Sequence, residues 1–173
     1  MCSLTYDTIA SNDNYEFIDD NTVSILDDGE GYTIEVKLVP GEGYAYGVTE
    51  EGKVYSFKSK KYIGFENTNG YLCIDTSKGR AYIHKLMIDA FMGPQQEGHE
   101  VHHIDKNRQN NSINNLISLS HKEHTELHKA MNIYSIKHGK QALEKKIQDI
   151  KNKYNAQDDD WCLQAITELS ASI

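Results

Sequence analysis

The sequence predicts an α+β protein with a small antiparallel, strand-rich N-terminal module and a helical C-terminal tail. Short runs of alternating apolar and polar residues, separated by glycine turns, fill residues 32–84. A strand–loop–strand–helix pattern follows over residues 99–131, and apolar residues at helical spacing continue after it. A chain of 173 residues is long enough to bury a substantial core, most simply as one domain with an appendage.

The strand-rich module begins at Tyr32, where apolar and polar residues alternate up to Pro40-Gly41. Gly-containing pairs then separate several short strands, as is typical of hairpins. A short helix from His84 to Phe91 is expected to end at Gly93-Pro94. The predicted strands are residues 32–39, 44–48, 53–57, 71–75 and 80–84.

The net charge of −8 is confined to the N-terminal part of the chain. Residues 1–40 hold nine acidic side chains and one basic one, whereas residues 41–130 hold eleven of each sign and residues 131–173 six of each. We therefore expect residues 1–31 to form an acidic segment that is weakly ordered or attached at the periphery. Such a segment could regulate access to a site or bind a basic protein partner.

The composition excludes several classes of protein. Three cysteines lie far apart, which predicts neither a disulfide framework nor a cysteine zinc site and fits a reducing compartment. The sequence shows no signal peptide, and no apolar run approaches the roughly 20 residues that span a bilayer. We expect a soluble protein of the cytoplasm, in a bacterium or in a host cell, with no membrane partner.

Histidines mark the candidate functional region. Seven of the eight lie between residues 84 and 128, and two of them, His102 and His103, are adjacent on a predicted strand. Adjacent side chains on a strand point to opposite faces, so these two imidazoles are expected to have different roles.

A helix after this strand is predicted to carry two more histidines on one face. Ser120 and Glu123 form a capping box, which predicts a helix beginning at His121. His124 and His128 are four residues apart and share a face of that helix. Together with a strand histidine they can supply three nitrogens to one metal ion. We interpret His121 as an exposed residue rather than a functional one. Glu100 could accept a hydrogen bond from a basic residue, but we interpret it as an exposed strand glutamate.

The C-terminal region is predicted to be helical. One amphipathic helix is expected to bury a face marked by five residues, and Asp160 is expected to cap a final helix that carries three apolar residues. The first set is Ile136, Leu143, Ile147, Ile150 and Tyr154, and the second is Trp161, Ile166 and Leu169.

The stretch "VHHIDKNRQNNSINNLISLSHKEH" resembles the motif of HNH (ββα-metal, His-Me finger) endonucleases. The order is His103, Asn115 twelve residues later and His124 nine residues after that. The opening of the stretch is similar to phage homing endonucleases, and the additional His128 resembles the four-histidine arrangement of colicin nucleases. The resemblance is strong over residues 80–130.

Upstream, "YGVTEEGKVYSF" and "GYLCIDTSKGRAYIHKLMIDAFMG" are similar to a strand-rich module that often precedes HNH cores. The predicted organisation is an acidic segment, a β-rich accessory module, an HNH core and a helical C-terminal region. These four parts are residues 1–31, 32–93, 94–131 and 132–173.

The resemblance implies a metal-dependent DNA endonuclease that hydrolyses phosphodiester bonds. It implies His102 and His124 as metal ligands with His128 as a third, and His103 as the general base, since an imidazole titrates near neutral pH. It also implies that Asn115 holds the loop together and orients the base without contacting the metal.

The implied cofactor is one divalent cation. Magnesium and manganese are the ions expected to be usable, although magnesium prefers oxygen ligands and related homing enzymes have Asp or Asn where this chain has His102. Imidazole ligands suit zinc or nickel, so we expect zinc to bind tightly.

Double-stranded DNA is the implied partner, and several basic residues are candidates to contact its backbone. For each of them a solvated surface position is an equally good interpretation. One catalytic centre predicts a monomer that nicks one strand, and double-strand cleavage would require a dimer. The candidate DNA-binding residues are Lys106, Arg108, Lys60, Lys61 and Arg80, with Lys58 and Lys78 in the same predicted hairpins.

Three alternatives to a homing-like phage nickase remain at this point. The chain could be an HNH protein that has lost cleavage and only binds nucleic acid, or a nonspecific or defence-related DNase. It could also be an inhibitory protein whose residues 1–40 mimic the charge of DNA.

Overall fold

The structure is a computed structural model, and it describes residues 5–27, 31–155, 158 and 160–171. It confirms the α+β class. The chain divides into two compact units, each of which combines two segments of sequence. Unit 1 comprises Met1–Gln95 and Arg108–Ile113, and unit 2 comprises Gln96–Asn107 and Asn114–Ile173. Among the described residues, none of the helices has the length and apolar character needed to cross a bilayer.

Unit 1 contains a six-stranded antiparallel sheet in which every strand pairs with the next one in sequence. Short turns allow this sequential order because antiparallel neighbours need only a tight connection. A short helix, α1 (Tyr6–Ala10), precedes the sheet. The strands are β1 (Tyr15–Asp19), β2 (Thr22–Ile25), β3 (Ile34–Leu38), β4 (Tyr46–Val48), β5 (Val54–Ser56) and β6 (Lys61–Tyr62).

A second antiparallel sheet and one helix complete the regular structure described in unit 1. The strands are β7 (Glu66–Thr68), β8 (Tyr71–Thr76) and β9 (Gly79–Tyr82), and the helix is α2 (Ile83–Phe91). Helix α2 buries an apolar face that includes Leu86, Met87 and Ile88.

The expectation that residues 1–31 are weakly ordered or peripheral is wrong for the described part of this segment. Strands β1 and β2 belong to the large sheet, and the side chains of Val23 and Ile25 are fully buried in its core together with Ile9. Acidic residues such as Glu16 occupy exposed positions between the buried ones. The many acidic residues made a short alternation of apolar and polar residues hard to recognise, because only every second strand residue needs to be apolar. Residues 28–30 lie outside the described residues.

Unit 2 begins with the predicted strand–loop–strand–helix pattern. Strand β10 (His99–His103) pairs antiparallel with β11 (Leu116–Ser120), and helix α3 (His121–His138) follows directly. Ser120 and Glu123 form the predicted capping box at the start of α3. The predicted start of this helix is therefore confirmed.

Two further helices, α4 (Lys140–Lys153) and α5 (Trp161–Ser170), pack with α3 around one apolar core. The predicted amphipathic face is wrong at Ile136, which is 86% exposed and lies in α3 rather than α4. Gly139 separates the two helices with a φ of 89°, a left-handed conformation that glycine adopts without strain. The predicted face otherwise holds, since Leu143, Ile147 and Ile150 are buried.

Asp160 lies at the N-terminal cap of α5, as predicted, but its side chain makes no capping hydrogen bond to the helix backbone. Its carboxylate accepts a hydrogen bond from the Gln164 amide instead. Trp161 and Leu169 are fully buried, so the apolar face of α5 anchors the helical part of unit 2.

Candidate functional site

Three imidazoles from two elements of unit 2 converge on one point. Strand β10 presents His102, and helix α3 presents His124 and His128 one turn apart. The ring centroids are 5.1 Å apart for His102 and His124, 4.8 Å for His102 and His128, and 4.6 Å for the helical pair. One nitrogen atom from each ring lies within 4.8 Å of the others. The structure thus brings together the three residues that the sequence suggested as ligands.

The chemistry of this cluster fits a divalent cation. In the described part of the chain, the buried Nε2 of His102 has no hydrogen-bond partner, and a buried polar atom without a partner is costly. Burial, together with the neighbouring His128 and His124, lowers the pKa of His102 to about 3. His102 is therefore neutral at pH 7, with a nitrogen lone pair available to a metal ion. Burial also lowers the pKa of His128.

The Glu100 carboxylate orients His124, the first of the two histidines that α3 contributes to the cluster. Glu100 on β10 lies 3.0 Å from Nδ1 of His124 and 2.7 Å from Nδ1 of His121. The bond with His121 contributes most to lowering the pKa of Glu100, which keeps this group ionised. Because Nδ1 of His124 is engaged, Nε2 is the nitrogen available to an ion. Carboxylates commonly fix metal-ligating histidines in this way.

Both residues are exposed, as predicted, and Glu100 makes the kind of contact with a basic group that the sequence left open. The pairing of β10 with β11 puts Glu100 opposite Leu119, just before the start of α3. That register places the carboxylate near the first turn of the helix.

His103 lies on the other face of β10 and is 5% exposed. Alternation along the strand separates it from the three-histidine cluster, as the adjacent pair of histidines predicted. Its backbone carbonyl accepts a hydrogen bond of 2.9 Å from the amide of Lys106, which begins the loop after the strand.

Asn115 ties this loop together from inside the protein. Its side-chain amide donates to Oδ1 of Asp105 at 2.9 Å, and its Oδ1 accepts from the Asp105 backbone amide at 3.1 Å. Oδ1 of Asp105 also accepts a bond of 2.8 Å from the Asn107 amide, which makes a local turn. Asn115 is only 1% exposed, so these bonds are sheltered from water. These bonds hold the segment from His103 to Asp105 in one conformation.

Two lysines lie next to this network. Lys106 has a φ of 62°, and its ammonium group adds to the low pKa of both His102 and His128, which places it toward the cluster. Lys151 on α4 donates to Oδ1 of Asn115 at 3.4 Å. The sequence analysis did not find Lys151, because no local motif links it to a residue 36 positions earlier.

The other candidate DNA-binding residues belong to unit 1. Arg80 is held by Glu66 at 2.6 Å and by Asp75 at 3.2 Å. Lys60 and Lys61 are exposed. Compensation by two carboxylates makes Arg80 a weaker candidate for DNA contact than the two lysines.

Arg108, which is also in unit 1, is exposed and lies over an aromatic ring. Its guanidinium carbon is 4.7 Å from the ring centre of Tyr71, and it donates to the Asn69 carbonyl at 3.5 Å. A guanidinium held flat against a ring keeps donors on its edge. Arg108 therefore remains available in part for other contacts.

An antiparallel strand pair followed by a helix, with imidazoles from strand and helix meeting at one point, defines a ββα-metal core. The HNH endonuclease family matches residues 81–126. The resemblance to HNH endonucleases found in the sequence is therefore confirmed over these residues.

Two relatives support this assignment. The chain is 33% identical over 76 residues to the uncharacterized HNH endonuclease L245 of Acanthamoeba polyphaga mimivirus, a match that covers 41% of this chain and 23% of the relative. It is similar to the HNH homing endonuclease I-HmuI, whose structure describes DNA binding and cleavage, with 31% identity and a TM-score of 0.51. That match covers 56% of this chain and 58% of I-HmuI. The chain thus spans less than two thirds of either relative.

Proposed function

We propose that this chain is a metal-dependent DNA endonuclease that hydrolyses phosphodiester bonds and nicks one strand. The observation that carries the proposal is the convergence of His102, His124 and His128, with an unpartnered nitrogen on His102 and a further histidine on the opposite face of the same strand. Three ligands from two elements leave positions at an ion open, as a catalytic metal site requires.

His103 is the proposed general base. It takes a proton from the water that attacks phosphorus, a task that suits an imidazole because its ordinary pKa of about 6.5 is near the working pH. Asn115 supports this role by fixing Asp105 and the loop that follows His103. His102, His124 and His128 would hold the divalent cation, which would supply Lewis acidity to the reaction.

Lys106 is proposed to stabilise the negative charge that develops on the phosphate. Lys106 is exposed, but partial desolvation of its ammonium group lowers its pKa, and its charge acts on the pKa of His102. A preorganised cation at such a position stabilises a transition state more than the same cation in water would.

The three-imidazole ligand set favours a borderline metal over magnesium. Nitrogen ligands suit zinc, nickel and similar ions, while magnesium retains water and oxygen ligands. We propose one divalent ion per chain, with manganese or magnesium supporting cleavage and zinc or nickel binding more tightly.

Double-stranded DNA is the proposed substrate, and a homing-like enzyme of phage origin acting inside a bacterial cell is the proposed setting. A structural relative supports this substrate: I-HmuI is an HNH homing endonuclease whose structure concerns DNA binding and cleavage. Three of the segments predicted from sequence, residues 32–93, 94–131 and 132–173, remain part of the proposal as its domain organisation, and the described part of residues 1–31 joins the first of them through the shared sheet.

A plasmid-nicking assay tests the proposal. Supercoiled DNA is incubated with the protein and manganese, magnesium, zinc or nickel, and with chelator as the blank. We expect conversion to the open circle with at least one ion and none with chelator. His103→Ala should slow nicking by about 10²–10⁴-fold, the usual contribution of a general base.

His138→Ala is the matched control for that assay. His138 lies at the end of α3, where its ring packs on Tyr134 outside the three-histidine cluster. This variant should nick like the wild type. DNA binding without nicking under every ion would contradict the proposed hydrolysis and favour an HNH protein that only binds nucleic acid.

A further inference from the structure

A cavity of about 470 Å³ lies within unit 2, beside the loop that follows β10. Its walls come from this loop, the second half of α3 and the length of α4. The apolar part of the lining is formed by Ile104, Leu143 and Ile147, which are 0%, 5% and 5% exposed. An apolar floor of this kind suits a flat or hydrophobic group rather than a small hydrated ion.

The rim of the cavity is polar and carries an excess of positive charge. Lys106, Lys140 and Lys151 line it, against the carboxylates of Asp105 and Glu144. The Asp105 carboxylate already accepts hydrogen bonds from the loop, so less of it is available to a ligand. The remaining polar lining residues are Asn132, Ser135 and Gln148.

The cavity and the candidate catalytic loop share residues. Ile104, Asp105 and Lys106 line the cavity and directly follow His103 in the chain. Lys151 lines it as well and donates to Asn115, which holds that loop. A ligand in the cavity therefore contacts the segment that positions the general base.

We propose that this cavity binds one nucleotide of the DNA, with its base out of the helical stack on the apolar floor and its flanking phosphates at the lysines of the rim. The volume is within the ordinary range for a small-molecule site, about 300–1,000 Å³. Enzymes that take a base out of the stack use such a combination of apolar walls and polar edge groups. That the bound nucleotide belongs to DNA rests on the proposed function, whereas the nucleotide-binding site itself does not.

A consequence follows for the choice of cleavage site. Taking a base out of the stack costs free energy, and the cost is smallest at mismatches and at flexible pyrimidine–purine steps. Sequence preference would then come partly from how easily DNA deforms beside the cut.

Binding of a single nucleotide tests the site directly. Thymidine 3′,5′-bisphosphate, which has a base and a phosphate on each side, is titrated into the full chain in the presence of chelator. Methyl NMR resonances of Ile104, Leu143 and Ile147 report the cavity floor. We expect saturable shifts of these resonances. Shifts confined to residues away from the floor, or no binding at millimolar bisphosphate, would overturn the proposal.

Matched variants on α4 locate the contacts. Gln148→Trp should obstruct the cavity, and Lys151→Gln should remove a phosphate contact. Each change should weaken bisphosphate binding about tenfold, and for Lys151→Gln this is the loss expected of a charge-assisted contact. Lys145 is exposed on the same helix and does not line the cavity. Lys145→Trp and Lys145→Gln should therefore bind like the wild type. Equal weakening by the Lys145 variants would contradict the location.

The base itself is tested with DNA. Duplexes that carry 2-aminopurine at successive positions are bound to the protein with chelator present, and fluorescence rises where the base leaves the stack. One bright position that Gln148→Trp abolishes is the expected result, and uniformly quenched duplexes would overturn the extrahelical base. Failure of nicking would sink the proposed hydrolysis and leave bisphosphate binding intact. Nicking without bisphosphate binding would sink only this site.

Discussion

Both units contain ion pairs, but among the described residues only unit 2 also gathers three imidazoles around one point. In unit 1, charges are paired with opposite charges, as between Arg80 and its two carboxylates or between Lys37 and Asp19. In unit 2, the rings of His102 and His128 lie against one another. Burial and neighbouring basic groups lower the pKa of both imidazoles. Pairing of opposite charges serves the fold, while a cluster of like groups with an unpartnered buried atom serves a ligand. The difference locates the chemistry in unit 2.

The sheet of unit 1 should depend on the acidic N-terminal segment for stability. Ile25→Ala removes a fully buried side chain from β2 and should lower the free energy of unfolding by about 2–5 kcal/mol, because the cavity left behind collapses only in part. Ile18→Ala on β1 is the control, since Ile18 is 52% exposed. Urea denaturation measures both. Similar small losses for the two variants would mean that this segment contributes little to the fold.

The histidine cluster of unit 2 should depend on metal for its stability. An ion held by a strand and a helix stabilises the folded state by mass action, about 2.7 kcal/mol when its concentration is a hundred times Kd. Chelator should therefore lower the melting temperature of the wild type and hardly change that of His124→Ala. His128→Ala should lose less of this response, because water can replace an outer ligand.

A melting curve of the wild type that does not respond to chelator would point to a weakly bound ion. A weak magnesium site would then describe the cluster better than a tight zinc or nickel site.

Without metal, the stability of unit 2 should fall as the pH is lowered. The pKa of His102 is 6.5 in its ordinary state and about 3 in the folded chain, because burial disfavours the imidazolium. Between these values the unfolded state binds a proton that folded His102 does not, so the unfolding free energy decreases as pH falls. His102→Asn should flatten this dependence in denaturation curves measured in chelator. An equal slope for both proteins would assign the pH dependence to other groups.

The ion pairs of unit 1 should have small effects. Glu66→Gln removes an exposed partner of Arg80 and should leave the free energy of unfolding nearly unchanged, because exposed ion pairs contribute little. It should also leave Arg80 more available to a phosphate, so DNA binding at low salt should rise slightly. A gel-shift titration at two salt concentrations measures this change. A large gain would make Arg80 a principal DNA contact despite its carboxylate partners.

Local signals explain which elements could be predicted from the sequence. The strand–loop–strand pattern of β10 and β11 and the capping box at Ser120 lie within a few residues of the structure that they determine. Strand β2 escaped notice because Val23 and Ile25 alternate among polar and acidic residues. The end of α3 was not predicted, because apolar residues keep their helical spacing across Gly139. The positive φ of this glycine ends the helix there.

Contacts distant in sequence explain what was missed at the site. The motif order located the histidines, since their spacing on strand and helix is local. The bonds from Glu100 to His124 and from Lys151 to Asn115 join elements that approach only after folding. Neither bond follows from a pattern within one element, so only the structure could assign orienting roles to Glu100 and Lys151.

Calorimetric titration of zinc or manganese into the full chain tests the division of labour between the adjacent histidines most directly. The three imidazoles converge on one point and His103 lies on the other face of β10. The account predicts one ion per wild-type chain, loss of that binding in His102→Ala, and nearly unchanged binding in His103→Ala. Binding that survives in His102→Ala and disappears in His103→Ala would contradict it and reverse the two roles.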